Sequence, residues 1–291
     1  MTIFNLGSVN IDRFYALPHL PQPGETLSAS NYSVGLGGKG MNQSVAAARA
    51  GAKVHHIGAI GQSDNWVRER IESYGVDCTY LHGLDYNTGH AIIYVDAHGE
   101  NTIVLDAGAN TQQDTHCISK AIETAKSHDT MLLQNETNLQ PQAAELALAK
   151  GVRVIYSAAP FSVEAVRPLL PHVSILVMNA VEAEQLCSEM GVTLDKIPVP
   201  QVLVTLGAKG AMWRSNETGE VIEVTAPKVA AVDTTAAGDT FAGYFAAGLD
   251  LGLSTRKAMD WATQAAALKV TRHGTADAIP KAVDVAAFQA S

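Results

Sequence analysis

Short apolar runs recur along the chain, and each is followed by a longer stretch with helical spacing of apolar residues. The runs barely alternate between apolar and polar positions, which is typical of parallel strands buried on both faces. The predicted strands are Ile3–Val9, Val54–Ile60, Met131–Leu133, Val152–Tyr156, Ile175–Met178 and Val202–Leu206. The predicted helices between them are Gln43–Ala50, Trp66–Tyr74, Asp114–Ser127, Pro141–Lys150 and Ala180–Met190. This alternation predicts an α/β fold, with a mostly parallel central sheet covered by helices on both faces.

Two stretches depart from this rhythm and alternate between polar and apolar positions. They are Thr26–Val34 and Gly89–Leu105, and the second contains a turn at residues 96–100. Such alternation is typical of antiparallel strands with one exposed face. From Gly238 to about Thr271 the pattern is helical, with a break at residues 250–254. The sequence therefore predicts a small antiparallel sheet beside the main one.

Composition and the start of the chain predict a cytoplasmic protein. Of the 291 residues, 47% are hydrophobic and 17% are charged, and no apolar run approaches the length of a membrane span. Residues 1–7 read as a strand and lack the basic start and apolar core of a signal peptide. Cys78, Cys117 and Cys187 show no disulfide or metal-site pattern, so we expect free thiols. We expect no membrane partner.

The net charge of −9 argues against a nucleic-acid partner, because a polyanion would be repelled at long range. The same charge does not argue against a nucleotide substrate. ATP binds together with magnesium, and a few local donors outweigh the global charge within a Debye length. We therefore expect small-molecule partners and no nucleic acid.

The segment Ala236–Gly238 consists of small residues and stands directly before a helical pattern. It predicts a turn with exposed backbone N–H groups, and a helix N-terminus with unpaired donors attracts anions. Asp239 stands at the mouth of this predicted anion hole, where a carboxylate is electrostatically unfavourable. Accepting a proton from a hydroxyl that attacks a phosphate would explain its presence. The alternative is that Asp239 only caps the helix.

A second glycine-rich segment, Gly37–Gln43, runs into a helix of small residues. Residues Gly35–Gly40 match the G-x-G-x-x-G pattern of dinucleotide-binding proteins, but no buried strand precedes them and no acid follows at a strand end. A P-loop does not fit either, because Lys39 is followed by Gly40 rather than by Ser or Thr. The segment instead predicts a backbone that approaches a polyhydroxylated ligand closely, which residues without a β-carbon allow.

Taken together, segments 37–43 and 232–243 resemble the signatures of the ribokinase-like (PfkB) family of carbohydrate and nucleoside kinases, and within it the ribokinases. The resemblance covers nearly the whole chain. It implies an ATP-dependent kinase that transfers the γ-phosphate to a primary hydroxyl, converting D-ribose to ribose 5-phosphate. It also implies one ribokinase-like domain over residues 1–291, a discontinuous β lid from about 11–37 and 89–106, and a homodimer joined through the lid.

The resemblance implies a sugar site beside an anion hole. The anion hole would consist of Ala236, Ala237 and Gly238, and the sugar site of Asn10, Asp12, Gly38, Lys39, Asn42, Glu136 and the base Asp239. An aspartate that accepts two hydroxyl hydrogen bonds, beside an asparagine that donates and accepts, suits a diol. From the residues alone, Asn10 and Asp12 could equally cap a turn after the first strand. Glu136 could equally be a solvated carboxylate at a strand end.

The resemblance also implies a nucleotide site. Its residues would be Asn179, Thr205, Gly207, Lys209, Gly238 and Thr263. Asn179 and Glu182 match the family's N-x-x-E motif and share one helix face. They would hold Mg²⁺ mostly through water, which that ion sheds reluctantly. The same spacing also fits an Asn cap with a first-turn Glu, and Lys209 could be a surface lysine. Thr263 is a departure, since a ring-bearing residue often lies against the adenine there.

A potassium ion beside the anion hole is a further implication of the resemblance, as an activator that does not touch substrate. Its ligands would be the side chain of Asp233 and the carbonyls of Thr235, Lys269, Arg272 and Gly274. Ala278 departs from the family, because ribokinases tend to have a serine hydroxyl there, which water could replace. Segment Gln62–Trp66 also departs, since it lacks the usual D-x-x-G spacing.

Other functions remain open at this stage. The acceptor could be another sugar or a nucleoside, such as fructose, ketodeoxygluconate or adenosine, because pockets discriminate a methylene or hydroxyl only modestly in many cases. A non-catalytic sugar-binding regulator is the alternative from another class, and it would predict a damaged anion hole or a missing aspartate. The histidines His55, His56 and His273 have no partner at metal-ligand spacing and read as ordinary strand and loop residues.

Overall fold

The computed structural model describes residues 1–289, and positions 290 and 291 of the predicted domain lie outside the described residues. In chain order the strands are β1 (Thr2–Leu6), β2 (Asn10–Ala16), β3 (Asn31–Gly37), β4 (Lys53–Gly61), β5 (Leu81–Leu84), β6 (Gly89–Val95), β7 (Asn101–Asp106), β8 (Thr130–Gln134), β9 (Arg153–Ser157), β10 (Ile175–Asn179), β11 (Gln201–Thr205), β12 (Ala211–Ser215) and β13 (Val221–Val224). The α-helices are α1 (Lys39–Arg49), α2 (Asn65–Ser73), α3 (Thr115–Thr124), α4 (Gln140–Ala149), α5 (Val163–Val166), α6 (Ala180–Met190), α7 (Ala237–Asp250), α8 (Thr255–Lys269) and α9 (Ala282–Gln289).

The main sheet has nine strands in the order β13-β12-β11-β10-β9-β8-β1-β4-β5. Every pairing from β11 to β5 is parallel, and β12 and β13 join antiparallel at one edge. The predicted mostly parallel sheet is therefore confirmed. The carboxyl ends of the parallel strands share one edge of the sheet, and the loops that follow them meet there.

Both faces of the main sheet are buried, as the barely alternating apolar runs predicted. Consecutive residues of β1 point into different cores: Ile3 belongs to the core that contains Val45 and Phe245, whereas Phe4 belongs to the core that contains Met131. Helices α1, α2, α7 and α8 cover the first core, and α3, α4 and α6 cover the second. This two-sided burial explains why the strands read as continuous apolar segments.

The second sheet has four strands in the order β3-β2-β6-β7. Its outer pairings, β2 with β3 and β6 with β7, are antiparallel, as predicted, whereas the central pairing of β2 with β6 is parallel. The reason is that β2 and β6 follow β1 and β5, which run in the same direction in the main sheet. Residues 26–30, predicted to begin a strand, precede β3 and are not part of it.

Strands β5, β12 and β13 were not predicted from the sequence, and β2 was expected only as part of the β lid of about 11–37 that the resemblance implied. Segments β5 and β13 have only four residues each, too few to show a period. Strand β2 carries Asn10, Asp12 and Arg13, so its polar start reads as a turn.

Among the described residues, no helix has the length and apolar character needed to cross a membrane. The side chains of Cys78, Cys117 and Cys187 are free thiols.

Candidate active site

The candidate site lies at the carboxyl edge of the main sheet, beneath the four-stranded sheet. Strands β1, β8, β10 and β11 deliver the segments that follow them to this edge, and the N-termini of α1 and α7 reach it from one side. Residues far apart in sequence therefore come together: Asn10 after β1, Glu136 after β8, Asn179 at the end of β10 and Thr205 at the end of β11.

Asp239 is a buried residue in the first turn of α7. Its Oδ2 accepts a hydrogen bond from Asn42 Nδ2 and its Oδ1 accepts one from Gln43 Nε2, both at 3.1 Å. The N-cap position belongs to Ala236 and has no side-chain cap. The capping alternative for Asp239 is therefore wrong, because the carboxylate is held by α1 rather than by its own helix.

The N-terminus of α7 carries a strained backbone residue. Ala236 has φ 59°, in the left-handed region, which costs a non-glycine residue about 1–2 kcal/mol. The turn is held by hydrogen bonds from Ala237 N to Thr234 O and from Thr240 Oγ1 to Ala236 O. The first N–H groups of the helix have no intrahelical acceptor, and space is open above Gly238. This end of α7 can therefore receive an anion next to Asp239.

Asn10 and Asp12 lie within β2, between β3 and β6, so the turn-cap alternative is wrong. Asn110 Nδ2 donates to Asn10 Oδ1 at 2.8 Å, and Thr275 Oγ1 donates to Asp12 Oδ2 at 3.3 Å. Burial raises the pKa of Asp12 to about 7; the Thr275 hydrogen bond opposes this shift and the negative charge of Glu136 adds to it. Both side chains are thus oriented before any ligand binds.

The glycines of segment 37–40 allow the chain to pass close to these side chains. A Cβ on Gly37 would lie 2.2 Å from Asp12 Oδ2, and Gly38 has φ 90°, a conformation that favours glycine. A Cβ on Gly40 would lie 2.3 Å from Gly7 Cα, so α1 begins in direct contact with the end of β1. The glycines therefore allow close contact between segments of the protein, and the predicted close approach of this backbone to a polyhydroxylated ligand stays a prediction.

Glu136 is a fixed side chain rather than a solvated carboxylate. Its Oε2 accepts hydrogen bonds from Ser8 Oγ at 2.5 Å and from Lys39 N at 2.8 Å. Burial nevertheless raises the pKa of Glu136. The negative charge of Asp239 is the main reason that the pKa of the Lys39 ammonium is raised, and Glu136 and Glu182 raise this pKa further. Burial of Lys39 opposes the shift. A lysine that stays charged therefore faces converging carboxylates.

Behind Asp239, a chain of buried polar side chains continues into the sheet. Gln43 Oε1 accepts a hydrogen bond from Gln134 Nε2 at 2.8 Å, and this fixes the Gln43 amide so that its Nε2 faces Asp239. Further buried members of the chain are Asn5, Ser44 and His56. The orientation of the Asp239 carboxylate is therefore set by side chains on β1, β4, β8 and α1 together.

A cavity of about 380 Å³ opens on the other side of α7's N-terminus. Four of the residues expected to bind ATP line it: Thr205, Gly207, Gly238 and Thr263. Its remaining wall is largely apolar and includes Ala226, Pro227, Val229, Phe241, Ala266 and Val270. Lys209 is exposed on the same turn as Gly207, and neither it nor Asn179 lines the cavity.

Asn179 and Glu182 form a reciprocal capping box at the start of α6. Glu182 N donates to Asn179 Oδ1 at 2.9 Å, and Asn179 N donates to Glu182 Oε2 at 2.8 Å. Within residues 1–289, no three His, Cys, Asp or Glu side chains form a cluster able to hold a metal ion. The charge of Glu182 also contributes, after those of Asp239 and Glu136, to the raised pKa of Lys39. A carboxylate already bonded to a backbone N–H suits contact with hydrated Mg²⁺ through water.

Comparison with known proteins identifies the family to which this site belongs. Residues 2–282 match the sequence model of the pfkB family of carbohydrate kinases. The chain belongs to this family. Ribokinase of Haemophilus influenzae is 36% identical over 295 aligned residues, covering 96% of this chain and 95% of the relative. Deoxyribokinase of Salmonella typhimurium is 33% identical, covering 96% of each chain.

Solved structures of pfkB-like kinases share the fold. Ribokinase from Thermotoga maritima has a TM-score of 0.88 and 31% identity, with 100% of both chains covered. Arabidopsis thaliana ribokinase, solved with ribose and ATP, has a TM-score of 0.87 and 27% identity over 99% of this chain and 97% of that chain. The ribokinase-like α/β fold and the activity of an ATP-dependent carbohydrate kinase follow.

The five residues that the resemblance to pfkB kinases assigned to K⁺ are close together, but they do not fit that ion. Asp233 accepts hydrogen bonds from Thr235 N and Gly274 N, both at 2.8 Å. The ammonium of Lys269 lies 3.8 Å from Asp233 Oδ1, and the carbonyl of Lys269 accepts a hydrogen bond from Arg272 N. Burial alone would raise the pKa of Asp233, but these hydrogen bonds and the positive charge of Lys269 outweigh it, so that the pKa is lowered. A protein cation already faces the carboxylate.

Several contacts of this kinase site were missed in the sequence. Ser8, Gln43, Asn110 and Thr275 hold the site side chains, and the apolar wall of the cavity comes mainly from segment 226–231 and α8. Gln43 had a signal, since it stands next to Asn42 in the glycine-rich motif. Asn110 had one too, as the last residue of the ribokinase-like string 106–110, whereas Ser8, Thr275 and the cavity wall had none, because their roles depend on contacts with residues far away in the chain.

Proposed function

We propose that this carbohydrate kinase phosphorylates the 5-hydroxyl of D-ribose with ATP. The observation that carries the proposal is the position of Asp239. Its carboxylate lies between the buried polar cluster of Asn10, Asp12 and Asn42 and the N-terminus of α7, which borders the nucleotide cavity. A hydroxyl bound in the cluster and a γ-phosphate at the helix end would meet beside it.

The chemistry follows from this placement. Asp239 accepts the proton of the sugar hydroxyl as the hydroxyl oxygen forms its bond to the γ-phosphorus. The bond from phosphorus to the bridging oxygen breaks, and ADP leaves with the electron pair. The N–H group of Gly238, at the open end of α7, stabilises the charge on the transferring phosphoryl group. Gln43 and Asn42 keep the carboxylate aimed at the reacting hydroxyl.

A polyhydroxylated ligand would pair with hydrogen-bonding groups of this cluster that have no partner within the protein. Asn42 Oδ1 is buried without a hydrogen-bond partner among residues 1–289, and such an orphan acceptor is costly unless a ligand donates to it. The carboxylates of Asp12 and Glu136 and the ammonium of Lys39 add acceptors and a donor in the same cleft. Gly38 lets the backbone approach the sugar.

ATP would lie along Thr205, Gly207 and Lys209, with its base in the apolar cavity beside Thr263. When bound with ATP, Mg²⁺ would neutralise charge on the β- and γ-phosphates. Asn179 and Glu182 would hold it through water, because their direct hydrogen bonds are committed to the capping box.

The four-stranded sheet is proposed to be a lid that closes over the sugar and excludes water. Its outer strands expose Val34, Ile103 and Leu105. This apolar surface supports a homodimer through the lid, which light scattering on the purified protein would test.

The test is release of ADP from Mg²⁺-ATP with ribose, deoxyribose, fructose, ketodeoxygluconate and adenosine as acceptors. The expected result is the highest kcat/KM for ribose, with phosphate on the 5-hydroxyl by NMR. A higher value for another acceptor would move the substrate assignment and keep the mechanism. Sugar binding without turnover on any acceptor would favour the regulator, although Asp239, Gly238, Asn179 and Glu182 are all in place.

A further inference from the structure

The side chain of Lys269, the last residue of α8, is fully buried. Its ammonium donates a hydrogen bond to the carbonyl oxygen of Asp233 at 3.1 Å and lies 3.8 Å from Asp233 Oδ1. A buried ammonium is costly unless it is paired and hydrogen-bonded. Asp233 provides both the opposite charge and the acceptor, so Lys269 has a fixed position.

Asp233 connects two segments that border the anion hole. Its Oδ1 accepts from Thr235 N, in the turn that leads into α7, and its Oδ2 accepts from Gly274 N, in the loop after α8. Val232 N and Asp233 N both donate to Val270 O, which ties the turn to the end of α8. Anything that fixes Asp233 therefore also fixes the backbone that enters the strained residue Ala236.

The charge around Asp233 is already balanced by the protein. One carboxylate faces one ammonium, and Ala278, which lies against Gly274, adds no hydroxyl. A second monovalent cation next to Asp233 would be repelled by Lys269 at short range, in surroundings that screen charge poorly. The cation position is therefore taken by a side chain.

We propose that the Lys269 ammonium replaces the activating monovalent cation, so that this kinase works without potassium. The proposal rests on the kinase reaction proposed above. Lys269 is a positioning residue: it acts through Asp233 and Thr235 on the amides at the start of α7 and touches neither sugar nor ATP.

The first test uses the unaltered protein. Initial rates with ribose and the tetramethylammonium salt of ATP are compared in potassium, sodium and tetramethylammonium chloride of equal ionic strength. We expect kcat and KM to agree within about twofold, because an ion without a site cannot shift an equilibrium. Activation by potassium of more than about fivefold would overturn the proposal.

The second test removes the ammonium and leaves its space. Lys269→Ala is expected to lose most of its kcat in tetramethylammonium chloride, with a smaller change in the KM for ribose, and to regain part of it in potassium chloride. Lys269→Met retains the apolar stem, fills the space and is expected to show the loss without the rescue. Lys257→Ala, an exposed lysine of the same helix, is the control and is expected to behave like the unaltered protein. Full activity of Lys269→Ala without potassium would contradict the proposal.

Thermal unfolding separates this inference from the proposed function. Potassium is expected to raise the Tm of Lys269→Ala and to leave the Tm of the unaltered protein unchanged relative to tetramethylammonium, since only a protein with a cation site is stabilised by that ion. A potassium-dependent Tm in the unaltered protein would overturn the inference. Absence of turnover on every acceptor would instead contradict the proposed function and leave this readout valid. If Lys269→Ala does not fold, the measurements on the unaltered protein decide alone.

Discussion

The two sides of the α7 N-terminus are lined by different kinds of groups. On one side, Asp12, Glu136 and Asp239 are buried or half-buried, and each carboxylate is held by named hydrogen bonds. On the other side, the cavity is lined largely by apolar side chains and glycine backbone. A site with buried polar groups that hydrogen-bond the ligand discriminates strongly, because a wrong ligand leaves those groups unpaired, whereas an apolar pocket discriminates weakly. We therefore expect strict sugar recognition and tolerant base recognition.

The largest effect is expected from removing the base on the polar side. Asp239→Asn keeps the size of the side chain but cannot accept the hydroxyl proton, so kcat should fall by roughly 10²–10⁴. Steady-state rates, with ribose and ATP binding measured by calorimetry, will show whether binding is retained. A loss below about fivefold would exclude Asp239 as the general base.

A smaller loss is expected when the support of the base is removed. Gln43→Leu deletes the donor to Asp239 Oδ1 and leaves the carboxylate with Asn42 alone. Because a hydrogen bond to a charged group contributes about 1.5–3 kcal/mol, kcat should fall by roughly 10- to 100-fold. Gln142→Leu, on the exposed face of α4, is the control. A change confined to KM would show that Gln43 binds substrate rather than orienting the base.

Acid is expected to weaken the sugar side through Asp12. Its raised pKa of about 7 means that the carboxyl group is protonated, and accepts fewer hydroxyl hydrogen bonds, as the pH falls below 7. In the free enzyme kcat/KM for ribose should then fall by up to about tenfold per pH unit. Glu136→Gln should move this decline to lower pH, since it removes the neighbouring negative charge. A flat profile between pH 5 and about 8 would show that Asp12 stays ionised.

The smallest effect is expected on the apolar side. The hydroxyl of Thr263 already donates its proton to Met259 O within α8, so Thr263→Val removes at most one acceptor from the nucleotide cavity. The KM for ATP should change by less than about threefold, and GTP should replace ATP more readily than any other sugar replaces ribose. A tenfold rise in the KM for ATP would mean that the protein recognises the adenine base through a hydrogen bond to Thr263.

Much of the fold could be predicted from the sequence, because burial of both faces of the main sheet produces a local pattern of apolar residues. The parallel strands appeared as apolar runs and the helices as periodic segments, and the bounds agree to within a few residues. The pattern of apolar residues did not show strand β2, because its inward-facing residues Asn10 and Asp12 are polar. The apolar wall of the cavity was missed because residues 226–231 form no regular element and show no period.

By itself, the sequence determined the order of most strands and helices, the close backbone approach at Gly37–Gly40 and the turn of small residues before α7. These features depend on residues next to each other in the chain, on their period, and on the absence of a β-carbon. Only the tertiary structure decided that Gln43 orients Asp239, 196 residues away, and that the side chain of Lys269 turns inward onto Asp233. Such contacts depend on where distant segments pack, and the direction of a long side chain is set by the charges that packing places around it.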